Sequence, residues 1–200
     1  MNKRLFSSKS RIVLSRIIIA ILALYILFNQ PPDCIPAAIL DLSEMIGFML
    51  LVMAAFGRMW CLLFVGGKKN DILMTSGPYS IVRNPLYVFS FLGAVGLGMT
   101  VKNPLLALAL AAAFIAYYPF VVKKEEQKLA ILFGDEYREY LSRTPRWFPN
   151  FGLYSEPDTM MIHTVYIRNG ILSGMWFIWA FLLWELLEYI RSTGLLNYGT

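Results

Sequence analysis

The chain divides into long apolar stretches separated by polar, basic or proline-containing connections. Residues 12–28, 37–56, 85–99, 105–122 and 171–190 form five such stretches. Charge intrudes only as Arg16 in the first, Asp41 and Glu44 early in the second, and Glu185 and Glu188 late in the fifth. A bilayer core is crossed by about 20 apolar residues of helix. The pattern therefore predicts an all-α integral membrane protein with about five transmembrane helices, the third somewhat short. The first stretch follows basic residues, as a secretory signal does. It is long for one and no small-residue cleavage pattern follows, so it reads as a retained helix.

The connections carry their own signals. Gly77-Pro78 marks a turn, and Asn84-Pro85 has the form of a helix N-cap followed by the first helical position. Tyr79 and Tyr87 suit a membrane–water interface. After the fourth stretch, Leu129, Leu132, Phe133, Tyr137, Tyr140 and Leu141 recur at helical spacing. Gly134-Asp135 interrupts them like one helix stopping and another being capped. This predicts a pair of amphipathic helices lying on the membrane, with Trp147 and Phe148 dipping into lipid. Two glycine-rich strings are not nucleotide motifs. "GGKK" lacks the upstream glycine and the following hydroxyl residue of a phosphate loop. "GAVGLG", residues 93–98, lies inside an apolar stretch, where small residues let helices approach closely.

Composition agrees with a membrane protein. Hydrophobic residues make up 58% and charged residues 16%, with a mean hydropathy of +0.56, against roughly 25% charged in ordinary globular chains. A net charge of +5 raises nucleic acid as a partner, but the distribution of charge decides otherwise. With five spans, one side receives the N-terminus, residues 57–84 and residues 123–170. Of the 18 Lys and Arg, only Lys102 and Arg191 fall on the other side. Basic loops stay in the cytoplasm. The N-terminus is therefore expected inside and the C-terminus outside, in a multi-pass protein of a bacterial inner membrane. The basic excess faces anionic lipid, and no nucleic acid is implied. Cys34 and Cys61 fall on opposite sides and cannot pair, and no metal site is expected. Asp41, Glu44, Glu185 and Glu188 read as carboxylates snorkelling into the outer headgroups. His163 reads as a surface residue of the linker.

The third and fourth spans, joined by a short outer turn, are expected to be antiparallel neighbours. Arg83, Asn84 and Tyr87 at one mouth then face Glu125 and Glu126 at the other. Such groups are costly at a membrane surface unless they pair or bind something. A ligand with both charges and a flat apolar part suits that mouth. The chain divides accordingly into residues 1–56 with two spans, 57–150 with both polar motifs and two spans, and 151–200 with a linker and the last span.

At these residues the sequence resembles the isoprenylcysteine carboxyl methyltransferase family, whose motifs overlap those of membrane phospholipid N-methyltransferases. The family pattern L-x-T-x-G-x-Y-x-x-x-R-H-P-x-Y is met by Leu73, Thr75, Gly77, Tyr79, Arg83, Pro85 and Tyr87. The pattern E-E-x-x-L-x-x-x-F-G-x-E-Y-x-x-Y is met by Glu125, Glu126, Leu129, Phe133, Gly134, Glu136, Tyr137 and Tyr140, and "PRWFP" matches the proline-rich end. The likeness covers roughly residues 57–150. It implies S-adenosylmethionine as cofactor, bound without a Rossmann domain. It further implies a cofactor pocket lined by Asp71, Ile72, Leu73, Met74, Tyr79, Asn84, Pro85, Leu86, Tyr87 and Glu125. Arg83, Asn84 and Glu126 stand as the implied catalytic residues. The implied acceptor is a lipid, a prenylated group or another small hydrophobic molecule that enters sideways between helices.

The chain departs from the pattern in three places. Asparagine replaces the usual histidine at Asn84, and an amide does not titrate near neutral pH. Val121 stands where carboxyl-methylating members carry an arginine. A fifth span follows the proline-rich end. Two other functions share the scaffold: an NADPH-dependent membrane reductase of sterol type, and a non-catalytic scaffold or transport protein.

Overall fold

The computed structural model describes residues 32, 34–67, 71–160, 162 and 164–193. The predicted first span and His163 lie outside these residues. Among the described residues there is no strand. In chain order come α1 (Ala37–Val65), the single turn α2 (Pro78–Ile81), α3 (Pro85–Thr100), α4 (Pro104–Arg143), a 3-10 turn (Phe151–Leu153) and α5 (Thr164–Ser192).

The helices outrun the apolar stretches that announced them. α1, α4 and α5 are 29, 40 and 29 residues long, and each is long and apolar enough to cross a membrane. α3 has only 16 residues, about 24 Å of rise against a hydrocarbon core of roughly 30 Å. Hydropathy ends where side chains become polar, but backbone hydrogen bonding does not, so α1 continues past Phe56 to Val65. Arg58, expected just beyond a span, is therefore inside α1. α4 likewise continues past Val122 through Lys123, Lys124, Glu125 and Glu126. The first of the two expected surface helices is thus the continuation of the fourth span. The expected break at Gly134 is present, with φ 52° and ψ −119°, a region open to glycine because it lacks a Cβ.

Local chemistry fixes the helix ends. Pro85 and Pro104 occupy the first turns of α3 and α4. The Asn103 side chain accepts from the Leu106 N–H at 2.9 Å and caps α4. Asn84 holds the corresponding position before α3 but makes no capping bond. That departs from the expectation, because its amide is engaged elsewhere, as described below.

α1 packs along both α3 and α5, and α3 packs along α4. The glycine string of α3 explains how one helix meets three neighbours. Gly93 touches Phe177 of α5, Gly96 meets Gly47 and Leu50 of α1, and Gly98 lies against Ala107 of α4. Outward, the bundle exposes Leu105, Leu108, Ile115 and Phe120 of α4 and Trp176, Trp179 and Leu183 of α5, an apolar belt suited to lipid.

At the end remote from the polar motifs, the carboxylates do not simply reach for headgroups as expected. Lys102, with φ 52°, turns in from the α3–α4 connection. Its ammonium lies 3.2 Å from Asp41, 3.1 Å from Glu44 and 3.1 Å from Glu188. One cation therefore ties α1 to α5, and it relieves the repulsion that would otherwise separate these carboxylates.

A side chain at Gly96 would strike the Gly47 carbonyl and Leu50. Gly96→Val is expected to lower stability by about 1–3 kcal/mol through overpacking. Thermal unfolding in detergent measures this, and wild-type stability would contradict the α1–α3 crossing.

Candidate functional site

The site forms where α1 ends and α3 begins. Residues 71–84 cross this end of the bundle, held by the chain that returns after α4. The Arg83 N–H donates to the Pro145 carbonyl at 2.9 Å, the Asn150 N–H to the Ile81 carbonyl at 2.9 Å, and the Gly77 N–H to the Ser155 carbonyl at 2.7 Å. The glycine break at residue 134 lets the last turns of α4 fold back beneath this segment. Tyr137 and Tyr140 there pack on Leu73, with Leu129, Phe133 and Leu141 around them. The Tyr140 hydroxyl also donates to the Tyr79 carbonyl at 2.7 Å. Desolvation pushes the Tyr79 hydroxyl well above the usual phenol range, so its ring faces the site as a neutral phenol.

These pieces enclose a cavity of about 500 Å³. Leu62 and Val65 of α1, Leu86 and Tyr87 of α3, and Val121, Glu125 and Leu129 of α4 form its walls, closed by Ile72, Leu73, Met74 and Tyr79. Val121, Glu125 and Leu129 are spaced by four and share a helix face. The Tyr87 hydroxyl donates to Glu125 Oε2 at 2.9 Å. Below it an aromatic column descends into the bundle. Tyr87 meets Tyr118 at 5.3 Å between centroids, Tyr118 stacks on Phe114 at 3.7 Å, and Phe114 meets Phe91 at 5.4 Å.

Glu126, one residue on and about 100° around the helix, faces away from the cavity and is buried. Its Oε1 accepts from Arg83 Nη1 at 3.4 Å, Asn84 Nδ2 at 3.4 Å and Arg146 Nε at 3.1 Å. Its Oε2 accepts from Arg146 Nη2. Arg146 thus grips the carboxylate with both arms of its fork, the strongest common geometry for this pair. The Asn84 amide also donates to the Arg146 carbonyl at 3.4 Å, which is why it is not free to cap α3.

Residues 42–136 match the family model described as phospholipid methyltransferase. A cobalt-zinc-cadmium resistance protein of Cupriavidus metallidurans is 37% identical over 152 residues, 76% of this chain and 70% of that one. A nickel-cobalt-cadmium resistance protein of Alcaligenes xylosoxydans xylosoxydans is 33% identical over 189 residues, 93% of this chain and 86% of that one. The human protein-S-isoprenylcysteine O-methyltransferase is 33% identical over 87 residues, 42% of this chain and 31% of that one. The chain belongs to the isoprenylcysteine methyltransferase-like family of membrane methyltransferases. No solved structure matches it.

Of the residues that membership in this methyltransferase family singles out, most meet at one cavity. Ile72, Leu73, Met74, Tyr79, Asn84, Pro85, Leu86, Tyr87 and Glu125 line it, as does Arg83. Asp71 is exposed and does not line it. Glu126 is absent from the wall, and two guanidiniums hold it. Leu62, Val65, Val121, Lys124, Lys128, Leu129, Tyr137 and Tyr140 line the cavity too, outside the pocket that the motifs imply. Counting one helical turn from Glu125 reaches Lys128, but nothing local marks Leu62 or Val65. The Arg146–Glu126 pair spans 20 residues and the break at Gly134, and no spacing rule foretells it.

Removing one member of a buried ion pair strands the other. Glu126→Ala leaves Arg83 and Arg146 facing each other and is expected to cost on the order of 3 kcal/mol. Chemical unfolding in detergent checks this, and a neutral result would show that the carboxylate does not organise the mouth.

Proposed function

We propose that the chain is an S-adenosylmethionine-dependent methyltransferase acting on a lipid or other small membrane-partitioned acceptor at the cytoplasmic face. The cavity at the helix mouths carries the reading, because its wall joins four tyrosines, a carboxylate, an arginine and two lysines to aliphatic side chains. That donor set fits the cofactor, which has a cationic sulfur, an ammonium, a carboxylate and a flat adenine. When bound, S-adenosylmethionine supplies an electrophilic methyl group. The residues of the chain bind and orient. The faces of Tyr79 and Tyr87 attract a cation. Glu125 accepts from an ammonium or from ribose hydroxyls, and Arg83 holds a carboxylate. Leu62, Val65, Leu73 and Leu129 exclude water, which makes positioning the main source of rate. Asn84 and Glu126 act by holding the mouth in shape.

The same proposal includes five spans in a bacterial inner membrane, with the N-terminus inside and the C-terminus outside. The one-sided basic charge supports that orientation. Residues 57–150 form the reacting core, and 1–56 and 151–200 flank it. Family membership favours methyl transfer over an NADPH-dependent reductase or a non-catalytic scaffold.

A metal-binding reading has one observation behind it. Carboxylate oxygens of Glu44, Glu185 and Glu188 lie within 4.8 Å of one another, and two relatives are named for metal resistance. Yet the Lys102 ammonium already stands 3.1 Å from Glu44 and from Glu188. It takes the place of a cation, so we assign the cluster to holding the helices together.

Titration calorimetry with S-adenosylhomocysteine, and separately with NADPH, tests the proposal. Binding of the first and not the second is expected. Glu125→Ala and Tyr87→Ala should each weaken it by about tenfold, the worth of one hydrogen bond to a charged group. A folded protein that binds no S-adenosylhomocysteine would overturn the reading.

A further inference from the structure

Arg58 stands outside the cofactor cavity, and among the described residues no carboxylate pairs with it. Its Nη1 donates to Ser90 Oγ of α3, and its Nη2 donates to Ser173 Oγ of α5 at 3.0 Å. Its Nε is buried with no acceptor. Among the described residues, the ion pairs involve Arg83, Lys102, Arg138, Arg143 and Arg146, and none involves Arg58. The remaining residues offer little remedy. Residues 1–31, 68–70, 161, 163 and 194–200 contain no Asp or Glu. Asp33 is the one acidic residue outside the described ones. A guanidinium set among three apolar helices with two neutral hydroxyls is costly, and intramembrane charges of this kind mark the paths of charged ligands.

Its position indicates what such a ligand would be. Arg58 lies one turn from Leu62 on α1, and Ser90 lies one turn from Leu86 on α3, where the Ser90 hydroxyl donates to the Leu86 carbonyl at 2.7 Å. Leu62 and Leu86 both line the cavity. Residues four apart share a helix face, so Arg58 and Ser90 stand beneath the cavity floor, one turn deeper in the bundle. At that floor α4 offers Val121 and no cation. Arg83, Lys124 and Lys128 line the cavity towards its mouth, so the charge at the floor is that of Arg58, shaped as a planar fork that matches a phosphate or a carboxylate.

We propose that Arg58, framed by Ser90 and Ser173, binds the anionic headgroup of a membrane amphiphile at the floor of the cavity. Taken with the proposed function, on which this role rests, the amphiphile is the methyl acceptor, and Arg58 selects anionic acceptors over neutral ones.

The test compares dodecyl phosphate, laurate and dodecanol as ligands of the full chain purified in a neutral detergent. Dodecyl phosphate and laurate should bind at least about tenfold more tightly than dodecanol, as expected for hydrogen bonds to a charged group. Arg58→Gln should abolish that preference while leaving S-adenosylhomocysteine binding unchanged. Inorganic phosphate should not displace dodecyl phosphate at equal concentration; if it does, the site takes a free anion and the amphiphile assignment is overturned. Equal binding of charged and neutral probes by the wild type, or an undiminished preference in Arg58→Gln, would also overturn it. If Arg58→Gln does not fold, the neutral Arg58→Met decides: a clear loss of preference supports the proposal, and no loss refutes it. Should the preference be absent while S-adenosylhomocysteine still binds, Arg58 loses its role and the methyltransferase reading stands.

Discussion

The geometry of the mouth depends on one buried carboxylate. Glu126 draws Arg83 and Asn84 from before α3 and Arg146 from beyond the end of α4. A buried carboxylate is tolerated only when its acceptor sites are filled, so three chain segments must meet at one place for the charge to be accommodated. The backbone bonds from Arg83 to Pro145 and from Asn150 to Ile81 then follow as a second tie along the same seam. With Glu126 committed to this task, its neighbour Glu125 is left facing the cavity with Tyr87. Adjacent acidic residues of one motif are thereby separated into a holding role and a binding role by the rotation of a helix.

That separation marks the limit of what the sequence discloses. Long apolar runs announce helices. The short turns at residues 78–81 and 151–153 were not legible in that way, but the type of α1, α3, α4 and α5 was. Their lengths were not, because α4 carries polar residues through several further turns without losing its hydrogen-bond ladder. The convergence of Arg83, Asn84 and Tyr87 on Glu125 and Glu126 followed from antiparallel neighbours joined by a short turn. Which carboxylate faces inward depends on how α4 is rotated against α3, and the packing of Gly98 on Ala107 sets that rotation, which no motif encodes. Asn84 shows a local rule yielding to a tertiary one. The residue type suits a helix cap, but a charged acceptor nearby holds its amide more strongly than a backbone N–H holds its oxygen.

The two ends of the bundle manage charge in opposite ways. Around Lys102, one cation serves several carboxylates supplied by α1 and α5. Around Glu126, one carboxylate serves two guanidiniums and an amide. Between them, α3 stays in place through glycines that admit a different neighbour on each side. The helices are thus pinned at both ends by charge and in the middle by close approach. A sideways shift of α3 would have to disturb all three regions.

The shortness of α3 has a consequence for the space around it. Its 16 residues rise about 24 Å, while the 29 residues of α1 rise about 43 Å. The missing length is the volume that residues 71–84 and the cavity occupy. No residue of α3 is exposed, so the shortfall opens inside the bundle and not on its outer face. Room for a ligand is thus made by leaving turns off the innermost helix.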